Sequence, residues 1–279
     1  MMSDHRKTSS KKRTILPVGH YRGLGLWNIM FFIFLYLPIL VLIFYSFNAS
    51  RMVIIWNGFS LEWYIKAYNN AGIQSAVINT LIVATIATAF ATAIATIGAL
   101  VLARGGKFKG KTVSLGLITL PLMVPEIVTA VAMLIFFSTI SMNWGLGNVI
   151  IAHITFCIPF AFMPIRARLE GMDTTQEQAA RDLYATEWET FRYITLPQLL
   201  PGIVAGGMLS FVISMDDFII TLMVGGAGTT TLPVYIYSMI RRGVTPEINA
   251  VSTVLLLFSV AIVTAYWVVS KKTQTKTVH

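Results

Sequence analysis

The sequence predicts an all-α, polytopic membrane protein with six transmembrane helices and one long polar loop between the fourth and fifth. Three observations carry this reading. The 279 residues are 56% hydrophobic and only 12% charged, whereas a soluble domain carries about 25% charged residues. Six stretches reach the ~20 apolar residues that a helix needs to cross a bilayer. Lys and Arg cluster in alternate connections, as they do in membrane proteins of defined topology.

The spans follow in order. Residues 1–23 form a basic polar tail, expected to be disordered to about Gly19. The first span, Leu24–Phe47, is too long for a signal-peptide core, and no small-x-small cleavage site follows it, so it reads as a retained helix. The second, Ile73–Ala103, carries Ala84, Ala87, Ala91, Ala95 and Ala99 at three- and four-residue spacing among several threonines. Such a stripe lets helices approach closely. It predicts packing inside this bundle in preference to a partner interface. The third, Thr112–Ile140, contains Pro121 and Pro125, each lacking the amide that would bond one turn back, so it is predicted to be distorted. The fourth is Leu146–Ile165, the fifth Leu199–Gly225 and the sixth Ile248–Ser270, with a basic tail at 271–279. Residues 24–270 are therefore one transmembrane domain. The single cysteine, Cys157, lies in an apolar run and reads as packing.

Charge sets the orientation. Of the 21 Lys and Arg residues, only Arg51, Lys66, Arg241 and Arg242 fall on one side of the six spans. The others lie in the two tails and in the second and fourth connections. Cytoplasmic segments are rich in Lys and Arg, so both termini are expected in the cytoplasm. The net charge of +9 is explained by this bias and does not imply nucleic acid.

One stretch, GGKFKGKT at 105–112, fits the phosphate-cradling pattern G-x-x-x-x-G-K-[ST] through Gly105, Gly110, Lys111 and Thr112. A phosphate loop needs a strand before it and a helix N-terminus behind it. Here it joins two membrane spans. The match reads as a short Lys-rich hairpin, and no nucleotide site, cofactor, metal cluster or nucleophile–base pair is expected in this chain.

The connection 166–198 is too long for a helix hairpin, usually 2–8 residues. Thr175/Gln178 and Thr186/Glu189 have capping-box spacing. They predict two short helices, about Gln176–Leu183 and Glu187–Thr195, separated by a bend at Tyr184-Ala185 and closed by Pro197. Ala179, Ala180 and Leu183 form a small apolar patch. Such a helix is marginal alone and must rest either on the lipid surface or against a cytoplasmic partner.

QAARDLY…ITLP in this loop resembles the EAA motif of ABC-importer permease subunits. The matching positions are Gln178, Ala179, Ala180, Tyr184, Ile194, Leu196 and Pro197, with the spacing kept throughout. Gln178 stands where the family has Glu, with Glu177 beside it, and Tyr184 stands where the family has Gly. The resemblance implies a type I importer permease fold, a coupling helix that seats in an ATPase subunit, a second homologous permease and a periplasmic binding protein. ATP hydrolysis would then belong to another chain. From about Leu35 onward the segments YSFN, AHITFCIPF, SMDD, TLPVYIYSMI and GVTPEINA look like the second permease of the spermidine/putrescine branch, with permeases for opines and other amines sharing much of the pattern.

Three acids fall inside spans: Glu126, Asp216 and Asp217. A charge in the bilayer core is costly, so each should face the bundle interior or water. They could attract a cationic substrate, or serve structure through partners such as Thr129, Thr221, Arg241 or Arg242. Adjacent helical positions differ by ~100°, so Asp216 and Asp217 are not expected to face the same way. His153 reads first as an interhelical hydrogen-bonding group. Tyr235 and Tyr237 follow a Gly/Thr-rich turn, on a short re-entrant or interfacial helix that would line an outer gate. The rival class is a carrier driven by protons or sodium, with His153 and the acids as coupling groups; it has no need of the long polar loop.

Overall fold

In the computed structural model, residues 22–276 are described, apart from 53, 54, 107 and 244. The expected disorder up to Gly19 falls outside that range. The described residues are almost wholly helical, with one isolated antiparallel bridge between Asn48 and Phe59.

The first span is α1, Arg22–Ser46. A folded loop then leads to α2, Glu62–Asn69. The second span is α3, Ala71–Arg104, whose N-terminus is capped by Asn70 accepting from the amides of Gly72 and Ile73. The third span is broken. Its first half, α4 at Lys111–Thr119, ends in a 3₁₀ turn at Leu120–Leu122, and α5 at Glu126–Thr139 leaves at 106°. Pro121 sits in that turn and Pro125 immediately precedes α5, as the missing amides predict. The fourth span is α6, Leu146–Glu170. The loop helices are α7, Thr175–Asp182, and α8, Glu187–Thr190.

Two expectations for the fifth span fail. Pro197 does not close the second loop helix: α8 runs through a π-helical turn at Phe191–Thr195 into α9, Leu196–Asp216. The wider turn changes the hydrogen-bond register where Pro197 has no amide to give. The span is also not continuous to Gly225. It breaks at Asp217, whose backbone is extended, and resumes as α10, Ile219–Val224. Next comes α11, Leu232–Arg242, and the last span is α12, Pro246–Lys276. The backbone therefore stays helical through most of the tail expected at 271–279.

The core is the mutual packing of α3, α6 and α9. All five alanines of the α3 stripe are buried inside the chain, which bears out the internal-packing reading. Gly206 of α9 has no room for a side chain: a Cβ there would sit 2.5 Å from the Ala161 carbonyl oxygen of α6. Cys157 is buried in the same region, with Sγ 3.6 Å from the Ser210 carbonyl. By contrast α1, packed chiefly on α12, turns Trp27, Phe31 and Phe34 outward.

Candidate functional site

The break between α9 and α10 builds the first site. Asp217 turns back onto the start of α10, where Oδ2 accepts from the Ile220 amide at 3.2 Å and Oδ1 from the Thr221 amide at 3.1 Å. His153 of α6, fully buried, closes the network. Its Nε2 lies 3.0 Å from Thr221 Oγ1 and 3.3 Å from Asp217 Oδ1, and its Nδ1 lies 2.8 Å from Ser214 Oγ. A tautomer with the proton on Nε2 donates to Asp217 and Thr221 while Nδ1 accepts from the serine. His153 thus ties α6 to both sides of the broken helix.

Asp216, one residue earlier, is exposed while Asp217 is 6% exposed. Asp216 opens onto a cavity of about 490 Å³ whose other walls include Glu126, Phe156, Phe160, Asp217 and Phe218. All three membrane acids therefore line one cavity, although the sequence places Glu126 two spans away. The expectation that Asp216 and Asp217 face different ways fails, because the helix ends between them and Asp217 is extended, so the helical offset does not apply. Among the described residues, no Lys or Arg lines the cavity. Arg241 stacks over Tyr237 at 5.2 Å and Arg242 donates to the Ser238 carbonyl at 3.2 Å. Neither pairs with these acids. Thr129 faces a different cavity, with Phe136 and Phe137.

The two tyrosines separate. Tyr237 packs on Phe218, a wall of the acid-lined cavity, with ring centroids 4.8 Å apart, but does not itself line it. Tyr235 instead donates to Asn70 Oδ1 at 3.3 Å, while Asn70 Nδ2 donates to Glu247 Oε1 at 3.1 Å. That hub joins α11, the start of α3 and the start of α12.

The second site is the loop between α6 and α9. At Tyr184 the chain turns with φ 63°, a left-handed conformation that glycine adopts freely and tyrosine does not. The bend therefore keeps the geometry glycine would favour. The amide of Ala185 returns to the Ala180 carbonyl at 3.0 Å, closing the helix end. The Thr186/Glu189 capping box forms in full, and the amide and hydroxyl of Thr186 hold the Glu189 carboxyl below its ordinary pKa. The Thr175/Gln178 box does not form. Asp173 performs that role, its Oδ1 accepting from the Thr175 amide at 2.9 Å and the Thr175 hydroxyl at 2.6 Å.

The expected apolar patch also divides. Ala180 is 8% exposed and faces its own chain, whereas Ala179 and Leu183 are exposed and Tyr184 is 96% exposed. Of the other motif residues, Gln178 and Leu183 point outward while Ile194 and Leu196 are half-buried. Glu177 is tied in twice, by Arg104 Nε at 3.3 Å and by the Thr195 hydroxyl at 3.0 Å. This anchor was missed because Arg104 was legible only as an orienting charge.

The chain as a whole matches known proteins. The family described as "Binding-protein-dependent transport system inner membrane component" matches residues 95–273. The chain belongs to that family. It is therefore a multi-pass inner-membrane component of a solute transport system. It is 39% identical over 238 residues to the spermidine/putrescine transport system permease protein PotC of Escherichia coli K12, covering 85% of this chain and 90% of that one. It is 40% identical over 231 residues to the putrescine transport system permease protein PotI of the same strain, covering 81% and 82%. Among solved structures, a bacterial ABC transporter involved in import of the acidic polysaccharide alginate superposes with a TM-score of 0.71 at 18% identity, over 90% of this chain and 94% of that one. At that identity the likeness speaks to the fold alone, the type I importer permease fold.

Proposed function

We propose that the chain is the permease subunit of an ATP-driven importer of a small polycation, putrescine or spermidine. The observation that carries this reading is the convergence of Glu126, Asp216 and Asp217 on one cavity without a lining Lys or Arg among the described residues. Carboxylates beside apolar walls such as Phe156, Phe160 and Phe218 attract cations more strongly than carboxylates surrounded by water alone, and a polyamine offers several. The polyamine permeases named above supply the substrate class. Asp216 and Glu126 contact the cation, with Tyr237 behind Phe218. Asp217 positions them by holding the helix break.

Orientation follows from the charge bias, with both termini in the cytoplasm. The loop with the outward Leu183 and Tyr184 then faces an ATPase subunit, where hydrolysis takes place. A second, homologous permease completes the path, and a periplasmic binding protein delivers the substrate.

The test is uptake of labelled putrescine and spermidine by cells lacking other polyamine importers and expressing the native transporter, together with mass spectrometry of the co-purified complex. Saturable, ATP-dependent polyamine uptake and recovery of an ATPase with a second permease are expected. Recovery of the complex with no uptake of either polyamine would overturn the substrate. Transport by the chain alone, driven by an ion gradient, would overturn the ATP-driven class.

A further inference from the structure

We propose that a second cavity, at the opposite charge extreme of the molecule, binds the phosphate headgroup of an anionic glycerophospholipid. It measures about 290 Å³ and lies where the ends of α3 and α6 meet the start of α4, with Arg104, Lys111, Arg166 and Glu170 on its walls beside Leu115 and Leu169.

Charge comes first. Three cations face one lining carboxylate, and that carboxylate is taken: Arg166 Nε holds Glu170 Oε1 at 2.7 Å. Arg104 gives its Nε to Glu177, but a guanidinium has five donors, so its terminal nitrogens keep their capacity. Lys111 Nζ donates to the Gly106 carbonyl at 3.2 Å, and among the described residues no carboxylate lies within ion-pair distance of it. The cavity therefore carries uncompensated positive charge, which repels the polycation drawn to the acid-lined site.

Depth comes second. Helix α3 has no charged residue from Ala71 to Ala103, and Arg104 is its last residue. A charge-free run that ends in an arginine suits a helix leaving hydrocarbon for the headgroup region. Leucines on the walls beside the cations suit a ligand that is anionic at one end and apolar at the other. Basic pockets between membrane helices bind anionic headgroups on this physical basis. Since Arg104 also holds Glu177, a phosphate here would brace the base of the loop that carries the exposed Leu183 and Tyr184. The Gly/Lys-rich hairpin that mimics a nucleotide loop thereby contributes a phosphate ligand of another kind, through Lys111.

Lys111 is the residue to change, because among the described residues its only side-chain hydrogen bond is to a backbone carbonyl in its own hairpin. The purified full chain, stripped of lipid, is titrated with phosphatidylglycerol, phosphatidylcholine and inorganic phosphate, and binding is read by native mass spectrometry. Phosphatidylglycerol is expected to bind at least tenfold more tightly than phosphatidylcholine. Lys111→Gln should weaken it about fivefold and Lys111→Glu about 25-fold, following the usual effect of each charge at a lipid surface. A thermal melt checks that both variants remain folded, and Arg104→Gln gives a second reading of the same site. Equal affinity for the two lipids, or full affinity in Lys111→Glu, would overturn the proposal. So would inorganic phosphate that binds alone and displaces phosphatidylglycerol at equal concentration, since the site would then read free phosphate.

Discussion

Asp217 in the membrane and Glu177 in the loop are both carboxylates held by a partner from another helix, the first buried and the second partly solvated, but their neighbours do different things. Asp217 is held by His153 from another helix, and Glu177 by Arg104 from another helix. In each case the adjacent residue, Asp216 or Gln178, is exposed where the anchor is not. In the membrane that exposed neighbour opens on a cavity inside the chain's own walls. In the loop it opens on solvent or a partner. One of two adjacent polar residues fixes the fold and the other is left available, and the surroundings decide what for.

The largest effect expected from breaking this comparison is at Asp217. Asp217→Ala leaves His153 and the Ile220 and Thr221 amides without their shared acceptor. Removing one partner of a buried pair costs about 3–5 kcal/mol. Thermal unfolding of the solubilised chain should shift sharply down, with membrane abundance falling in parallel. A variant that stays abundant and melts normally while losing only transport would make Asp217 a substrate contact, and the division of labour with Asp216 would collapse.

Asp216→Asn comes next. Asn keeps the shape and removes the charge, and no hydrogen bond holding the fold depends on it. A lost charge-assisted contact of roughly 1.5–3 kcal/mol predicts polyamine uptake reduced about 10- to 150-fold, at unchanged abundance and melting temperature. Normal uptake would move the substrate away from this wall of the cavity.

A smaller effect is expected at Glu177. The pair with Arg104 is partly solvated, its side chains being 29% and 13% exposed, so screening discounts it to about 1 kcal/mol. Glu177→Gln should lower co-purification of the ATPase subunit about fivefold. Gln178→Glu, which restores the acid usual in the family at that position, should not lower it. If the second variant alone changed association, the roles assigned to these two neighbours would be reversed.

Much of this was legible in the sequence because it depends on periodicity and local chemistry. Span positions followed from apolar runs, the distortion of the third span from Pro121 and Pro125, and the buried alanine stripe from its three- and four-residue spacing. The Thr186/Glu189 cap is local and forms as predicted. What escaped depends on long-range pairing. The break at Asp217 needs His153, 64 positions earlier in the chain, and an apolar run cannot reveal where a carboxylate replaces a helical hydrogen bond. Helix continuation through Pro197 needs a π-helical turn, which no residue in FRYIT announces. Glu126 was visible as a membrane acid, but its place beside Asp216 and Asp217 follows from the 106° bend of the third span.

The smallest effect, and the sharpest test of the loop, lies at Tyr184. Its φ of 63° and 96% exposure mean that the ring gains almost nothing from its own chain while the backbone holds a conformation costing on the order of 1 kcal/mol. Tyr184→Gly should relieve that cost and slow hydrogen exchange at the amides of residues 183–185 about fivefold, the same energy expressed as a rate. Unchanged exchange would mean that the bend is not strained. Whether the strain has a use is a separate question, which the partner answers. Tyr184→Asn also tolerates a left-handed backbone but lacks the ring. If Gly and Asn both weaken ATPase co-purification while the loop becomes more ordered, the exposed ring is part of the contact surface, and the bend is held at a cost in stability to present it. If association is unchanged in both, the ring is merely tolerated, and docking rests on Leu183 and the outward face of α7.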